Sequence, residues 1–361
     1  MHKKVVSLLI STIIINSCLP YVNGHNINDY VMFRINKTVE DKSRFLTDGM
    51  TRKSKNKRIE DNIKWYKRYG HVNIYYNIYG LDIEGFRDQD DFISDSEIKE
   101  SDNNILNKFE FYQKIRGIGS KFLPKLYIAC ENNIILYPKG TNEAARTILN
   151  KIPNGKYISK PILSNFGKGI YLIDKNKQSI SIKESNGRSN NFEKYNPKDS
   201  LIQEYVEQHD DLSKLNSSSL NCIKMISINQ GDEIKILSAA LKIGTNGKAI
   251  VDSLHQGGTC VGINIDNGKL LTYGTYIINR AAERKHPISN IEYKDYQVPY
   301  WEEAIEMIKT LHKKLPEFKY ISWNIGISKT GPIIIGMNDS CHIAILQMAN
   351  GGLRHKLNYL K

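Results

Sequence analysis

The sequence predicts an α+β fold built on largely antiparallel sheets. Short β-rich runs separated by glycine and asparagine turns follow Pro153-Asn154-Gly155, and helical periods lie on both sides of this region. The sequence contains no strand–helix–strand repeat with a Gly-rich phosphate loop and no dinucleotide fingerprint. A parallel, doubly wound sheet is therefore disfavoured.

Each element follows from its local pattern. Helices are predicted at residues 104–116 and 142–149, and at 301–315, where Ile305, Ile308 and Leu311 share one face. The residues between these helices are predicted to form strands: 126–136 around a turn, 156–162, 169–174, 179–182, 200–206, 222–229 and 235–244. After the last helix, two further strands are predicted at 320–327 and 332–335.

Composition limits the class of protein. The chain has 361 residues, of which 40% are hydrophobic and 25% charged, so it can bury a substantial core and is not a disordered, collagenous or disulfide-stapled chain. Lys plus Arg number 51 against 38 Asp plus Glu, a net charge of +13 that must attract a polyanion: nucleic acid, anionic lipid or a nucleotide triphosphate. Five scattered cysteines without a C-x-x-C pair indicate neither a disulfide framework nor a zinc site, and fit a reducing compartment.

The N-terminus resembles a targeting segment. His2-Lys3-Lys4 precede an apolar run, residues 5–19, that contains several polar side chains. A spanning helix needs roughly 20 apolar residues, so this run is short for one. Residues 1–24 are a cleaved signal, a weak membrane anchor or a helix packed against the body, and the pattern leaves the three open.

Two neighbouring motifs suggest a phosphate-binding flap. Lys160 ends one predicted strand, and Gly167-Lys168-Gly169 lies on the loop before the next. Glycines allow backbone amides to approach a phosphate closely, and the two lysines would supply charge from opposite sides. An ordinary hairpin with two surface lysines is the alternative for either motif alone. Their succession favours the flap.

A later strand could serve a nucleotide base. Residues 201–206 lead directly into the acidic His209-Asp210-Asp211 turn. The strand could offer backbone groups and Glu204 to an adenine edge, and a later carboxylate could accept from ribose hydroxyls. A strand that ends in a solvated acidic turn explains the same residues, and the sequence does not decide between them.

The order of these motifs from Tyr157 to the C-terminus is itself informative. The segments concerned are Ile158-Ser159-Lys160-Pro161 with Gly167-Lys168-Gly169, then 202–206, 219–224, 240–244, 251–253 with 257–258, His286-Pro287, 298–303, 321–325, 331–335 and 346–354. Together they resemble the ATP-grasp enzymes, most closely the sugar-transfer-associated ATP-grasp group found with polysaccharide biosynthesis genes. Residues 79–82 upstream are also similar to that group.

The resemblance implies an ATP-grasp fold, in which two α+β lobes hold a nucleotide between them. Such enzymes use ATP to convert a carboxylate into an acyl phosphate, which an amine or another nucleophile then attacks. The implied organisation is a hydrophobic segment 1–24, a divergent N-terminal region 25–115, a small lobe with the phosphate loop at 116–206 and a large lobe at 207–361.

Individual roles follow from the resemblance alone. Lys224 and Lys242 stand where the family tends to carry arginines that face phosphate or substrate, and are the candidate catalytic residues. Lysine keeps the charge of arginine but loses its planar bidentate fork. The implied nucleotide contacts are Lys160, Gly167, Lys168 and Gly169 for the phosphates, Gln203, Glu204, Tyr205 and Val206 for the adenine hinge, and Asp211 (or Asp210) for the ribose.

The expected magnesium site departs from the family pattern. The family usually has Trp-Asp on one strand and Glu-Gly-Asn on the next, whereas this chain has Trp323-Asn324 and Gly336-Met337-Asn338. Mg²⁺ is bound through one or two carboxylates together with phosphate oxygens, so these replacements should weaken it severely. The remaining metal candidates are Asn324, Asn338 and Asp339, and Asp339 could equally be a turn residue.

Two functions therefore compete. One is an ATP-dependent carboxylate–amine ligase-like enzyme of polysaccharide or cell-surface glycan biosynthesis, with ATP and a small carboxylate or glycan precursor as partners. The other is a degenerate relative that binds nucleotide or glycan precursor without turnover. Nucleic-acid binding is disfavoured because the basic runs lack interleaved aromatic residues. Since ATP is available in the cytoplasm, we expect a cytoplasmic body whose residues 5–19 form an uncleaved helix or a peripheral membrane contact, with secretion as the alternative.

Overall fold

The computed structural model describes residues 93, 98, 107–138, 144–163, 167–276, 283–338 and 343–359. All of these lie within one compact unit, Ile78–Lys361. The hydrophobic segment 1–24, most of the region 25–115 and Asp339 fall outside the described residues. Within the described ranges, no helix is both long and apolar enough to cross a membrane.

The described residues form short helices around two groups of strands. The helices are α1 (Lys108–Gly119), α2 (Ala145–Lys151), α3 (Asp210–Leu215), α4 (Trp301–Lys313), α5 (Ala344–Asn350) and α6 (Arg354–Tyr359). The first group of strands is β1 (Leu126–Glu131), β2 (Ile134–Tyr137), β3 (Gly155–Pro161), β4 (Tyr171–Lys175), β5 (Ile180–Glu184), β6 (Ser189–Asn190) and β7 (Ser200–Glu204). The second group is β8 (Cys222–Asn229), β9 (Ile234–Ile243), β10 (Thr259–Ile263), β11 (Leu270–Thr275), β12 (Tyr320–Ser328) and β13 (Gly331–Asn338).

The strands form two sheets. Sheet A has the order β2-β1-β7-β3-β4-β5-β6, and sheet B has the order β11-β10-β9-β8-β12-β13. Every neighbouring pair in both sheets is antiparallel. The predicted α+β class with antiparallel sheets is confirmed.

Helix α4 covers one face of sheet B. Its buried Ile308 and Leu311 belong to the same core cluster as Met225 and Trp323. Trp323 is fully buried, and its indole nitrogen donates to the Ser227 hydroxyl at 2.7 Å. Because neighbouring residues of a strand point to opposite faces, this packing turns Lys224 and Asn324 away from α4.

Strands β10 and β11 were not predicted. The segment Ser253 to Cys260 forms a short 3-10 turn at Leu254–Gln256 and then enters β10 at Thr259. Glycine weakens the sequence signal of a strand, and β10 needs one. A Cβ on Gly262 would lie 2.5 Å from the Ala349 carbonyl oxygen, because α5 passes directly over this strand.

Candidate functional site

Lys160 extends from sheet A to the edge of sheet B. It lies near the end of β3, and its Nζ donates to the Ile335 carbonyl oxygen of β13 at 3.0 Å. Asn324 pairs with Gly336 whereas Ile325 pairs with Ile334, so Ile335 is the extra residue of a β-bulge. The bulge frees the carbonyl that Lys160 reaches.

A second lysine lies close to Lys160. Lys108 is the first residue of α1, and its Nζ is 3.5 Å from the Ile162 carbonyl oxygen. Burial lowers the pKa of Lys108 to about 8. Burial, reinforced by the charge of Lys108, lowers the pKa of Lys160 to about 7. An anion bound here would favour the charged form of both amines.

Sequence reasoning missed Lys108. The only local signal is a lysine in the first turn of a helix capped by Asn107, where the positive end of the helix dipole disfavours a cation. That signal is weak without the position of Lys160.

The Gly167-Lys168-Gly169 turn lies against a segment that leads into sheet B. Gly167 and Gly169 have φ values of 73° and 70°, a region that favours glycine. Gln256 donates from Nε2 to the Gly167 carbonyl oxygen at 3.4 Å. Lys168 is exposed, and after burial its charge is the second cause that lowers the pKa of His255. The turn therefore spans from sheet A to the segment before β10.

The predicted hinge residues lie at the end of β7, where the chain leaves sheet A. Gln203 is buried and donates from Nε2 to the Pro124 carbonyl oxygen at 3.4 Å. Glu204 accepts the Lys125 amide at 2.8 Å through Oε1, and the Tyr205 amide donates to the Lys156 carbonyl oxygen at 3.1 Å. Val206 is buried where the chain leaves sheet A. The Glu204 carboxylate thus already has a backbone partner in this structure.

Asp211 lies at the protein surface. Its Oδ1 accepts from Lys214 Nζ at 2.7 Å, and 45% of its side chain is exposed. The hydrogen bond from Lys214 lowers the pKa of Asp211. The carboxylate predicted to hold a ribose is therefore engaged in an ion pair within α3.

The two candidate catalytic lysines lie on one face of sheet B in different environments. Lys224 is 3% exposed, pairs directly with Asn324 and donates from Nζ to the Ser322 hydroxyl at 2.7 Å. Lys242 is paired with Asp252, with 3.2 Å between Nζ and Oδ2. Sequence reasoning did not identify Asp252 as its partner.

Asp252 holds Lys242 in its charged form. Its Oδ2 also accepts the Cys222 amide at 2.9 Å, which fixes the carboxylate at the start of β8. Burial acts to lower the pKa of Lys242, but the nearby Asp252 carboxylate outweighs it, so the pKa is raised. Burial raises the pKa of Cys260, the residue that pairs with Lys242 in β10, to about 12, so this thiol stays protonated.

The predicted metal residues meet at the β12–β13 edge without a carboxylate among those described. Asn324 pairs with Gly336, and Asn338 pairs with Ser322. In the part of the chain that the structure describes, no group of three His, Cys, Asp or Glu side chains is placed to hold a metal. Two amides and a glycine do not match the carboxylate ligands that Mg²⁺ requires. The described residues therefore do not fit a magnesium ion, and Asp339 lies outside them.

A comparison with protein-family models identifies the family of this chain. The model of the sugar-transfer associated ATP-grasp family matches residues 87–361, more than half of the chain. The chain belongs to this family. Membership confirms the resemblance read from the motifs, and it places Lys160, the Gly-Lys-Gly turn and the Asn324 edge within an ATP-grasp fold.

Solved structures show remote similarity to this ATP-grasp protein. One is an ATP-grasp superfamily protein from Archaeoglobus fulgidus, with 12% identity, 73% of this chain and 54% of that chain covered, and a TM-score of 0.35. Another is N5-carboxyaminoimidazole ribonucleotide synthetase from Thermotoga maritima, with 10% identity, coverage of 69% and 50%, and a TM-score of 0.35. A third is D-alanine–D-alanine ligase from Helicobacter pylori, with 12% identity, coverage of 71% and 60%, and a TM-score of 0.36.

The chain thus spans only 54% and 50% of the first two of these structures. A comparison with curated proteins finds no match.

Proposed function

We propose that this ATP-grasp protein binds ATP between sheets A and B, with the phosphates near Lys160, Lys108 and the Gly167-Lys168-Gly169 turn. The observation that carries the proposal is the bond from Lys160 Nζ to the Ile335 carbonyl oxygen, which brings a cation of one sheet to the edge of the other. Phosphate oxygens are strong acceptors for ammonium donors. Family membership supports a nucleotide as the anion.

The proposed reaction is activation of a carboxylate. A carboxylate oxygen attacks the γ-phosphorus of ATP, the bond from that phosphorus to the bridging oxygen breaks, and ADP leaves with both electrons of that bond. An amine or another nucleophile then attacks the carbonyl carbon of the acyl phosphate and expels inorganic phosphate. The lysines stabilise charge on the phosphoryl oxygens by electrostatics.

The proposed substrate is a small carboxylate or glycan precursor, used in the synthesis of polysaccharide or cell-surface glycan. Support comes from the family description, which associates these proteins with sugar transfer. The need for ATP favours a cytoplasmic location for the proposed reaction, and residues 5–19 are the proposed site of peripheral membrane contact.

A second candidate is nucleotide binding without turnover. The observation that favours it is the pairing of Asn324 with Gly336, two positions at which the family usually carries acids. Loss of both acids would remove the metal that normally assists phosphoryl transfer. The protein would then act as a nucleotide-dependent scaffold or regulator.

One experiment separates the two candidates. Full-length protein is titrated with ATP by calorimetry and is then assayed for release of ADP and phosphate over a panel of carboxylates and sugar acids with amine acceptors. Binding followed by release supports the ligase reaction. Binding that never leads to release supports the second candidate, and absence of binding contradicts both.

Replacement of Gly169 by alanine should weaken ATP binding about tenfold, since a left-handed backbone costs a non-glycine residue roughly 1–2 kcal/mol. Gly169 has a φ of 70°, and a Cβ there would lie 2.7 Å from Pro161 Cγ. The turn must therefore shift away from the site. Calorimetric titration with ATP measures the change.

Gly231→Ala is the matched control. Gly231 has a φ of 90°, and a Cβ there would have nothing within 4 Å. This variant carries a similar backbone penalty in the turn between β8 and β9, away from the flap. Equal loss of ATP affinity in both variants would show that the flap has no specific part in binding.

ATP binding should be coupled to proton uptake at pH 8. In the free protein the pKa of Lys160 is about 7 and that of Lys108 about 8, so at pH 8 Lys160 is mostly neutral. A bound phosphate favours the ammonium form and draws a proton from solvent. Calorimetry in two buffers of different ionisation enthalpy measures this uptake, which should be smaller at pH 6 and reduced in Lys160→Met.

The same lowered pKa values fix the sign of a stability change. Between about pH 7 and 10.5, the ordinary pKa of a lysine, the unfolded chain binds more protons at Lys160 than the folded protein does. The contribution of this residue to the free energy of unfolding should therefore rise with pH across that interval.

For the calorimetric measurement at pH 8, release of protons when ATP binds would contradict the placement of phosphate beside Lys160.

A further inference from the structure

The pairing of β12 with β13 shows what replaces the family's acids. Gly336 lies directly opposite Asn324, and a Cβ on Gly336 would be 3.8 Å from Asn324 Nδ2. That separation is an ordinary van der Waals contact. A side chain at position 336 would therefore fit and would point toward Asn324. Position 336 therefore accommodates the first carbon of an acidic side chain, and neither residue of this pair carries a negative charge.

A lysine lies at the same place. Lys224 on β8 pairs with Asn324, so the two side chains leave the same face of sheet B. Its Nζ donates to Ser322 Oγ at 2.7 Å, and Ser322 in turn pairs with Asn338. The ammonium group therefore lies on the face shared by both amides that were expected to bind the metal.

A second ammonium approaches from the other sheet. Lys160 donates to the carbonyl oxygen of Ile335, the residue that precedes Gly336. Lys160 thus reaches β13 at Ile335, and Lys224 reaches Ser322 on the neighbouring β12. When a bound phosphate keeps both amines protonated, their summed charge equals that of one divalent ion. A Mg²⁺ ion placed here would have no carboxylate among the described residues and would be repelled by a buried cation.

We infer that Lys224 takes the place of the divalent metal, so that the cleft binds a nucleoside triphosphate in its magnesium-free form, with the Lys224 ammonium beside the terminal phosphates. The inference rests on the proposed ATP binding and specifies the ionic form of the ligand. An ammonium carries one positive charge and up to three donors, of which Lys224 gives one to Ser322 in this structure. It also neutralises part of the charge that a metal would otherwise neutralise.

The decisive measurement uses the wild-type full chain. ATP is titrated by calorimetry in buffer with EDTA and again with excess Mg²⁺. The affinity in EDTA should equal or exceed that in Mg²⁺, since the metal competes with Lys224 for the same phosphate oxygens. Binding that requires Mg²⁺ overturns the inference and leaves the proposed ATP site intact. Absence of binding in both buffers overturns the proposed function and the inference with it.

Restoring the acids should reverse the metal dependence. In the double variant Asn324→Asp with Gly336→Glu, the affinity for ATP in EDTA should fall about tenfold or more, because two carboxylates now repel the phosphates, and Mg²⁺ should recover it. A double variant that still binds best without Mg²⁺ contradicts the assignment of this edge to the phosphates.

Variants of Lys224 test its part directly. Lys224→Met should lower the affinity in EDTA by about tenfold or more, and Lys224→Arg should retain most of it. Lys329→Met is the matched control, since Lys329 is an exposed lysine on the turn between β12 and β13. Unchanged affinity in folded Lys224→Met would overturn the inference. If Lys224→Met does not fold, the wild-type comparison and the double variant still decide.

Discussion

Replacing Lys160 by alanine should lower the affinity for ATP by about hundredfold, the loss expected for a charge-assisted hydrogen bond to phosphate, and should abolish any ADP release. The side chain is half-buried, and its ammonium reaches the Ile335 carbonyl oxygen at 3.0 Å, so its removal takes a cation from the place where the two sheets meet. Calorimetry with ATP measures the affinity, and circular dichroism checks that the variant is folded.

Two further variants make the result specific. Lys160→Met keeps the aliphatic stem and removes the ammonium group with its charge and donors, so it should lose as much affinity as Lys160→Ala. Lys177→Ala removes an exposed lysine from the turn between β4 and β5, at the end of the strands opposite the flap, and should bind ATP as the wild type does. Wild-type affinity in Lys160→Ala would place the phosphates elsewhere in the molecule.

Local patterns predicted the central strands well. The prediction for residues 222–229 coincides with β8 (Cys222–Asn229), because the strand is an unbroken run that is buried along almost its whole length. The helix predicted at 301–315 is α4, whose regularly spaced apolar residues pack into the core beside sheet B. Strands β10 and β11 were missed because Gly262 and Gly274 break their apolar pattern, although both glycines are required by neighbours packed close above them.

The candidate site could be predicted only where its chemistry is local. Lys160 and the Gly-Lys-Gly turn lie close together in sequence, so their spacing alone suggested a flap. Lys108 was not identified because its position near Lys160 depends on a contact between distant segments: its backbone amide donates to the carbonyl oxygen of Ile162, the residue after β3, at 3.2 Å. Likewise, the ion pair between Lys242 and Asp252 depends on the path of the chain between them, which the spacing of apolar residues does not predict. Contacts between segments that are far apart in the chain are the part of the site that could not be predicted from this sequence alone.

The ion pair between Lys242 and Asp252 gives the largest expected change in stability. Replacing Asp252 by alanine should lower the free energy of unfolding by about 3–5 kcal/mol, because it leaves a buried ammonium without its counter-ion. The side chains of Lys242 and Asp252 are only 14% and 12% exposed, so water cannot replace the lost partner. The Cys222 amide would also lose its acceptor. Urea unfolding followed by circular dichroism measures the loss.

A surface ion pair supplies the control. Glu207 lies 3.3 Å from Lys329, and the two side chains are 72% and 55% exposed. Glu207→Ala should change the free energy of unfolding by about 1 kcal/mol or less, since solvent screens an exposed pair. Equal losses in Asp252→Ala and Glu207→Ala would show that burial does not strengthen the effect of removing Asp252.

The charge and the hydrogen bond of Asp252 can be separated. Asp252→Asn keeps an oxygen for the Cys222 amide and removes only the charge, so it should retain part of the lost stability. Because Asp252 raises the folded pKa of Lys242 above 10.5, the stabilisation is complete below pH 10.5 and is lost as the pH rises through the raised value. Asp252→Asn should therefore lack this alkaline loss.

A double variant then tests what Lys242 does in the cleft. Asp252→Ala with Lys242→Met removes the uncompensated charge, so stability should recover relative to Asp252→Ala alone. If Lys242 serves only to balance Asp252, the double variant binds ATP as the wild type does. If Lys242 also contacts phosphate, its ATP affinity falls about tenfold despite the recovered stability. Stability and affinity therefore change together in the first case and separately in the second.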